Sequence, residues 1–229
     1  MAINWSGNTP TAALRAWNVY ADCQQNIKNQ PFVDRKLGYF SRLQQIQKDT
    51  NMTTPLYELT VGCYTQVLES TVGFLEKGLA HCQSNGTEPK AIVASTLYED
   101  MQNFYFQVAS LNHHSGKTIE ALSSGEFNPP MHAFNHEAQD GDYEALIAET
   151  QANVALMKTQ TAEDINACAG KTIIFKLGSR EMPFTAENFV LSFSLPNFYF
   201  HAATTYDMLR MQGVQIGKMD FLGAMKVGV

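Results

Sequence analysis

An all-α bundle is the architecture this sequence predicts, and three observations predict it. Apolar residues recur every three or four positions in four long stretches beyond residue 52, the spacing that gathers them on one face of a helix. Helix-starting and helix-ending residues stand at the borders of those stretches. One short stretch, 171–184, changes instead to the rhythm of strands.

The first helix begins at Thr54, because Pro55 in a first turn removes no hydrogen bond that the helix would make. Tyr57, Val61, Tyr64, Leu68, Leu75, Leu79 and Cys82 then share a face, and Asn85-Gly86 ends the helix. The second helix is expected over 95–123, with Leu97, Met101, Phe104, Val108, Leu111, Ser115 and Leu122 turned inward. Asp100 would sit favourably near its positive end. Residues 124–141 read as a loop, since Pro129-Pro130 and the Gly, Asn and Asp around them break both periods. A third helix is expected over 142–159, burying Tyr143, Leu146, Ile147, Val154 and Met157. The strand-like stretch turns at Gly178-Ser179, a hairpin signal. Thr185 can cap a fourth helix, which would bury Phe189, Phe193, Phe200, Thr204, Met208 and Met211 and kink at Pro196. The glycine-containing tail after it reads as an irregular segment across the bundle.

Residues 1–51 differ in texture. Gln and Asn are dense there, and two short amphipathic helices, 11–27 and 37–46, are separated by Pro31. The chain therefore divides into an N-terminal extension, 1–51, either packed on the bundle or loosely attached, and the bundle itself, 52–229.

Composition narrows the function classes. With 45% hydrophobic and 17% charged residues the chain is globular. A net charge of −6 and no basic stripe argue against a nucleic-acid partner. No apolar run reaches the roughly 18 residues of a membrane helix, and the N-terminus lacks the charged head and apolar core of a secretory signal. The four cysteines, Cys23, Cys63, Cys82 and Cys168, show neither C-x-x-C nor zinc spacing. They read as small buried hydrophobes of a reducing, cytoplasmic compartment. No nucleophile-elbow, metalloprotease, phosphate-loop or dinucleotide motif occurs.

At SLPNFYFHAATTYDMLRMQGVQIGKMDFLG (194–223) the chain resembles the closing signature of the domain-of-unknown-function family numbered 1993, in the DinB-like superfamily. TPLYELTV (54–61), LEKGLAH (75–81) and LYEDMQNFYFQV (97–108) are similar to earlier parts of that family. The resemblance covers about 52–223. It implies a DinB-like four-helix bundle, here with a small β-hairpin before the last helix, often dimeric. Many DinB-like relatives bind a divalent metal through three histidines, one on the second helix and an H-x-x-x-H pair on the fourth, and some are thiol-dependent transferases or isomerases. This sequence departs from that pattern, because the residues four positions either side of His201 are Asn197 and Thr205.

Six histidines are available: His81, His113, His114, His132, His136 and His201. His114 follows Leu111 by three residues and leans inward, whereas His113 is turned about 100° away. His201 is either a buried histidine that pins the last helix or an acid/base group beside Asn197, Tyr199 and Tyr206. His81 suits a helix-end contact with the last carbonyls. His132 and His136 flank Phe134 in the long loop, where Phe127, Met131 and Phe134 could cover a pocket mouth. The aromatic residues Phe104, Tyr105, Phe106, Phe193, Phe198, Tyr199 and Phe200 form either plain core or the walls of an apolar pocket.

The function expected is that of a DinB-like homodimer holding a small, mainly apolar ligand between the second and fourth helices, with no cofactor and no metal. His201, His114 and Tyr206 are the catalytic candidates, and Tyr57, Phe104, Asn197, Tyr199 and Phe200 the pocket. If it is an enzyme, lyase, isomerase or cyclase chemistry fits. The alternatives are a metal-dependent DinB-type transferase and a non-catalytic binding or structural protein.

Overall fold

A computed structural model of the chain describes residues 54–129 and 142–228. All of them belong to the compact unit Thr54–Val229. The extension 1–51 and the loop histidines His132 and His136 lie outside the described residues.

Four long helices make the bundle. Helix α1 (Cys63–Asn85) follows a wide π turn, Glu58–Gly62, and ends where Gly86 adopts φ 67°, a left-handed conformation that glycine accepts without strain. After a short helix, α2 (Pro89–Ala94), comes α3 (Phe104–Ser124). It starts nine residues later than periodicity predicts. The Asn103 side chain accepts a hydrogen bond from the Phe106 N–H at 3.0 Å and so defines the cap. Thr96 pairs with Asn103 across the segment before it, so Asp100 sits in a closed loop rather than in a first helical turn. Leu97 and Met101 are accordingly only half-buried.

Helix α4 (Tyr143–Thr159) is capped by Asp142 and followed by the short α5 (Ala162–Asn166). The expected hairpin is β2 (Thr172–Leu177) with β3 (Arg180–Thr185), turning at Gly178. Pro183, which has no N–H to give a ladder, stands on the exposed outer strand β3. A third strand was missed. Residues Glu126–Phe127, expected in a loop, form β1, which pairs parallel with β2 through Glu126↔Ile174 and Phe127↔Phe175. Gly125, at φ 80°, turns the chain out of α3, and its carbonyl accepts the Ile174 N–H at 2.8 Å.

The fourth long helix is built in pieces. Thr185 caps α6 (Ala186–Phe189), as expected, and a second π turn, Val190–Ser194, leads into α7 (Leu195–Met211). Pro196 lies inside the unbroken helical run 186–211, as expected, two residues beyond the wide turn. The wide turn holds one more residue than an α turn, which advances the helix by about 100°. This corrects the predicted face in part. Thr204 and Met208 are buried as expected, but Phe200 and Met211 are 54% and 66% exposed, and Phe198, His201, Ala202, Thr205 and Leu209 are buried as well. The segment after α7 carries a short helix, α8 (Lys218–Leu222), held on α1 by Gln66 Nε2 donating to the Leu222 carbonyl.

Around the bundle α1 packs on α4 and α7, and α3 packs on the same two, so α1 and α3 lie across a diagonal. The core has two centres. One, containing Tyr64, Leu111, Phe127, Phe189 and Phe198, adjoins the sheet. The other contains Phe74, Phe104, Tyr143 and Leu209. At the second centre Gly78 lets α1 approach α4 and α7, and a methyl there would overlap the Tyr143 hydroxyl. That hydroxyl donates to the Leu75 carbonyl at 3.0 Å. Gly78→Ala is expected to destabilise the protein by about 1–3 kcal/mol through overpacking, despite alanine's better helix propensity. Urea denaturation measures it, and a midpoint equal to or above wild type would refute the close-packing account.

Candidate functional site

The seam between α3 and α7 carries the buried polar chemistry. Gln107 and His114 stand two turns apart on one face of α3, and His201 faces them from α7. His201 Nδ1 lies 2.8 Å from Gln107 Oε1. The Gln107 amide cannot be reversed, because its Nε2 donates to the Gln102 carbonyl at 3.0 Å and a reversal would set two oxygens against each other. His201 therefore donates from Nδ1, and its neutral ring keeps the lone pair at Nε2.

His114 is stacked on His201, with ring centres 5.7 Å apart and planes 11° from parallel. The stack continues outward. Phe127 lies against the far side of His114 at 6.0 Å and 16°, and Phe175 against Phe127 at 5.9 Å and 15°. Four near-parallel rings thus run from β2 through β1 and α3 to α7. Phe193 meets His114 edge-on, and Phe106 and Phe200 meet His201 edge-on.

Both imidazoles are neutral at pH 7. Burial pushes His114 down to about 3, with smaller contributions from His201 and His113, and burial alone pushes His201 down to about 4. Among the described residues His114 Nδ1 is buried without a hydrogen-bond partner, as is Ser110 Oγ one turn earlier on α3. Orphaned groups of this kind cost about 1–3 kcal/mol each.

Behind His114 runs a buried line of hydroxyls. The Tyr64 hydroxyl is 2.6 Å from Ser194 Oγ, which is 2.6 Å from Thr118 Oγ1. Thr118 Oγ1 donates to the His114 carbonyl at 2.6 Å. Ser194 belongs to the second π turn, so this line ties the wide turn to α3 beside the histidine. Burial raises the Tyr64 hydroxyl to about 12 and keeps it protonated.

The other expected site residues disperse. Phe200 keeps its contact with His201 but is largely exposed. Asn197, half-buried, spends its amide on the Phe193 carbonyl at 2.7 Å. Tyr199 meets Phe198, and burial followed by the nearby Cys63 raises its hydroxyl. Tyr206 packs between Phe74 and Phe221, Phe104 stacks on Tyr143, and the Tyr57 N–H donates to Asn166 Oδ1. None of these last three has a ring contact or hydrogen bond with either histidine among the described residues. His81 contacts the Gln212 carbonyl at the end of α7 rather than the last carbonyls of its own helix. A groove of about 410 Å³ lies elsewhere, lined by Gly116, Leu156, Ile165 and Cys168, and neither histidine borders it. Cys82 and Cys168 are buried, but Cys63 is only half-buried, against expectation.

Sequence reasoning missed Gln107, and it put Phe127 at a pocket mouth in a loop rather than in a strand against His114. The signal for Gln107 was its seven-residue distance from His114, two turns on one helical face. Phe127 had no such signal, because a two-residue strand has no period.

A divalent ion held by three histidines does not fit these donors. Among the described residues no cluster of three or more His, Cys, Asp or Glu could hold a metal.

The bundle has a DinB-like fold. A crystal structure of a DinB family member protein from Shewanella denitrificans superposes with a TM-score of 0.61 at 24% identity, covering 76% of this chain and 95% of that one. Residues 56–222 match the family described as Domain of unknown function (DUF1993), and the chain belongs to that family. No curated protein matches it. No helix among the described residues is long and apolar enough to cross a membrane.

Proposed function

We propose that the α3–α7 seam holds a small, mainly apolar ligand, with His114 and His201 as its polar contacts. The observation that supports this is the buried, unpartnered Nδ1 of His114, stacked against a second neutral imidazole. A histidine that served packing alone would be expected to have both polar atoms satisfied. A flat ligand bearing one polar group could supply the missing partner while its body contacts the surrounding phenylalanines.

A second reading, a cofactor-independent lyase, isomerase or cyclase, is favoured by the fixed tautomer of His201. Its Nε2 lone pair is the atom a general base needs, although a ring this reluctant to hold a proton is a weak base.

The test is thermal unfolding of the full chain against a panel of small aromatic compounds, with His114→Phe as comparison. At least one compound is expected to raise the wild-type Tm by several degrees, and His114→Phe, which retains the ring stack, is expected to abolish the rise. Binding at one hundred times the dissociation constant corresponds to about 2.7 kcal/mol, a readily measured shift. A rise that survives in His114→Phe would place the ligand elsewhere, and no rise with any compound would count against a ligand site.

A further inference from the structure

The two imidazoles differ in what they offer a ligand. His201 has committed its N–H to Gln107, whose own orientation is set by the Gln102 carbonyl, so its remaining nitrogen accepts and does not donate. Among the described residues no carboxylate or ammonium acts on either ring. Beyond burial, His114 responds only to His201 and His113, and His201 to burial alone. An ion in the seam would find no counter-charge to offset its lost hydration. The rings Phe106 and Phe200 stand edge-on at 5.8 and 5.2 Å from His201, continuing the aromatic surroundings of the stack.

We propose, on the reading that this seam is a ligand site, that its ligand is an uncharged aromatic hydrogen-bond donor, such as a phenol or an azole N–H, and that Gln107 is the positioning residue that selects for donors by holding His201 in the Nδ1–H form. The donor meets His201 Nε2, and its ring lies among the phenylalanines. Gln107 acts only through the imidazole. With its acceptor removed, His201 is free to take the Nε2–H form, which turns the contact atom from acceptor to donor.

The experiment uses the full chain, labelled with ¹⁵N, and long-range ¹H–¹⁵N correlation spectra of its histidines. Phenol is titrated against anisole, and pyrazole against 1-methylpyrazole, pairs that differ in the donor proton. His201 is expected to give the Nδ1–H pattern. Phenol and pyrazole are expected to shift its Nε2 resonance and to bind about tenfold more tightly than their methylated partners, the effect of one hydrogen bond. Gln107→Leu is expected to convert His201 to the Nε2–H form and remove the preference. The wild-type readings decide the matter even if that variant fails to fold. An Nε2–H pattern in the wild type, or equal binding within each pair, overturns donor selection and leaves the site itself standing. If His201 has the Nδ1–H form but no probe perturbs either histidine, the site reading fails, and the inference with it.

Discussion

Between pH 6.5 and about pH 4.5 the protein is expected to lose on the order of 5 kcal/mol of stability, enough to unfold a domain of ordinary stability. In the unfolded chain His114 and His201 take up protons near 6.5, while in the folded chain burial holds them at about 3 and about 4. Through that window the unfolded state binds more protons than the native state, so stability falls as the pH is lowered. Each histidine contributes about 1.4 kcal/mol per pH unit where the difference is fully developed. The loss begins as pH drops through the unfolded value and ends near the folded values. Urea denaturation from pH 7 to 4.5 measures the slope. The double variant His114→Phe/His201→Phe keeps rings in the seam and removes both titrations, so its curve is expected to be flatter by most of that amount. An identical slope in wild type and double variant would mean that other groups govern acid unfolding.

Phe127→Ala is expected to destabilise the protein by about 3–5 kcal/mol, the range for deleting a fully buried phenylalanine. Phe127 is 1% exposed and touches rings from β2, α3 and the second π turn. Its removal opens the stack on the side of His114 away from His201. Water admitted there would hydrate the imidazole, so the pKa of His114 is expected to rise toward its ordinary 6.5 as stability falls. Phe127→Leu fills most of the volume and is expected to lose less than half as much, with His114 still depressed. Urea denaturation and NMR titration read the two effects separately. A folded Phe127→Ala protein with near wild-type stability would show that the ring column is not a packing unit.

The long-period parts of the fold were legible in the sequence. The ends of α1 and α4, the hairpin turn at Gly178 and the Thr185 cap follow from residue chemistry within a few positions of each feature. What was not legible depends on tertiary partners or on breaks in periodicity. The wide turn Val190–Ser194 has no pattern of its own, and because it shifts the phase of α7 it put Phe200 inside in place of its neighbour. Strand β1 is two residues long and exists only because β2 offers it an edge. At the site, His114 and His201 were singled out together and their rings lie side by side, although the face read for the last helix put Phe200 inside rather than His201. Gln107 was passed over because an amide on an apolar face carries no chemical label until its partner is known. Tyr206 was included for its nearness to His201 in sequence, but the α7 helix turns it toward Phe74 and Phe221.

The second wide turn has an evolutionary consequence. Because it holds one residue more than an α turn, a one-codon deletion within Val190–Ser194 would restore ordinary helical pitch. Everything C-terminal to it on α7 would keep its present face, because the lost residue and the lost wide turn cancel, and His201 would still meet Gln107. The histidine pair is thus indifferent to that one residue, whereas a deletion in the regular helix between Leu195 and Phe200 would turn His201 by about 100°. An alignment gap within Val190–Ser194 therefore carries less meaning than one a few residues later, ahead of His201.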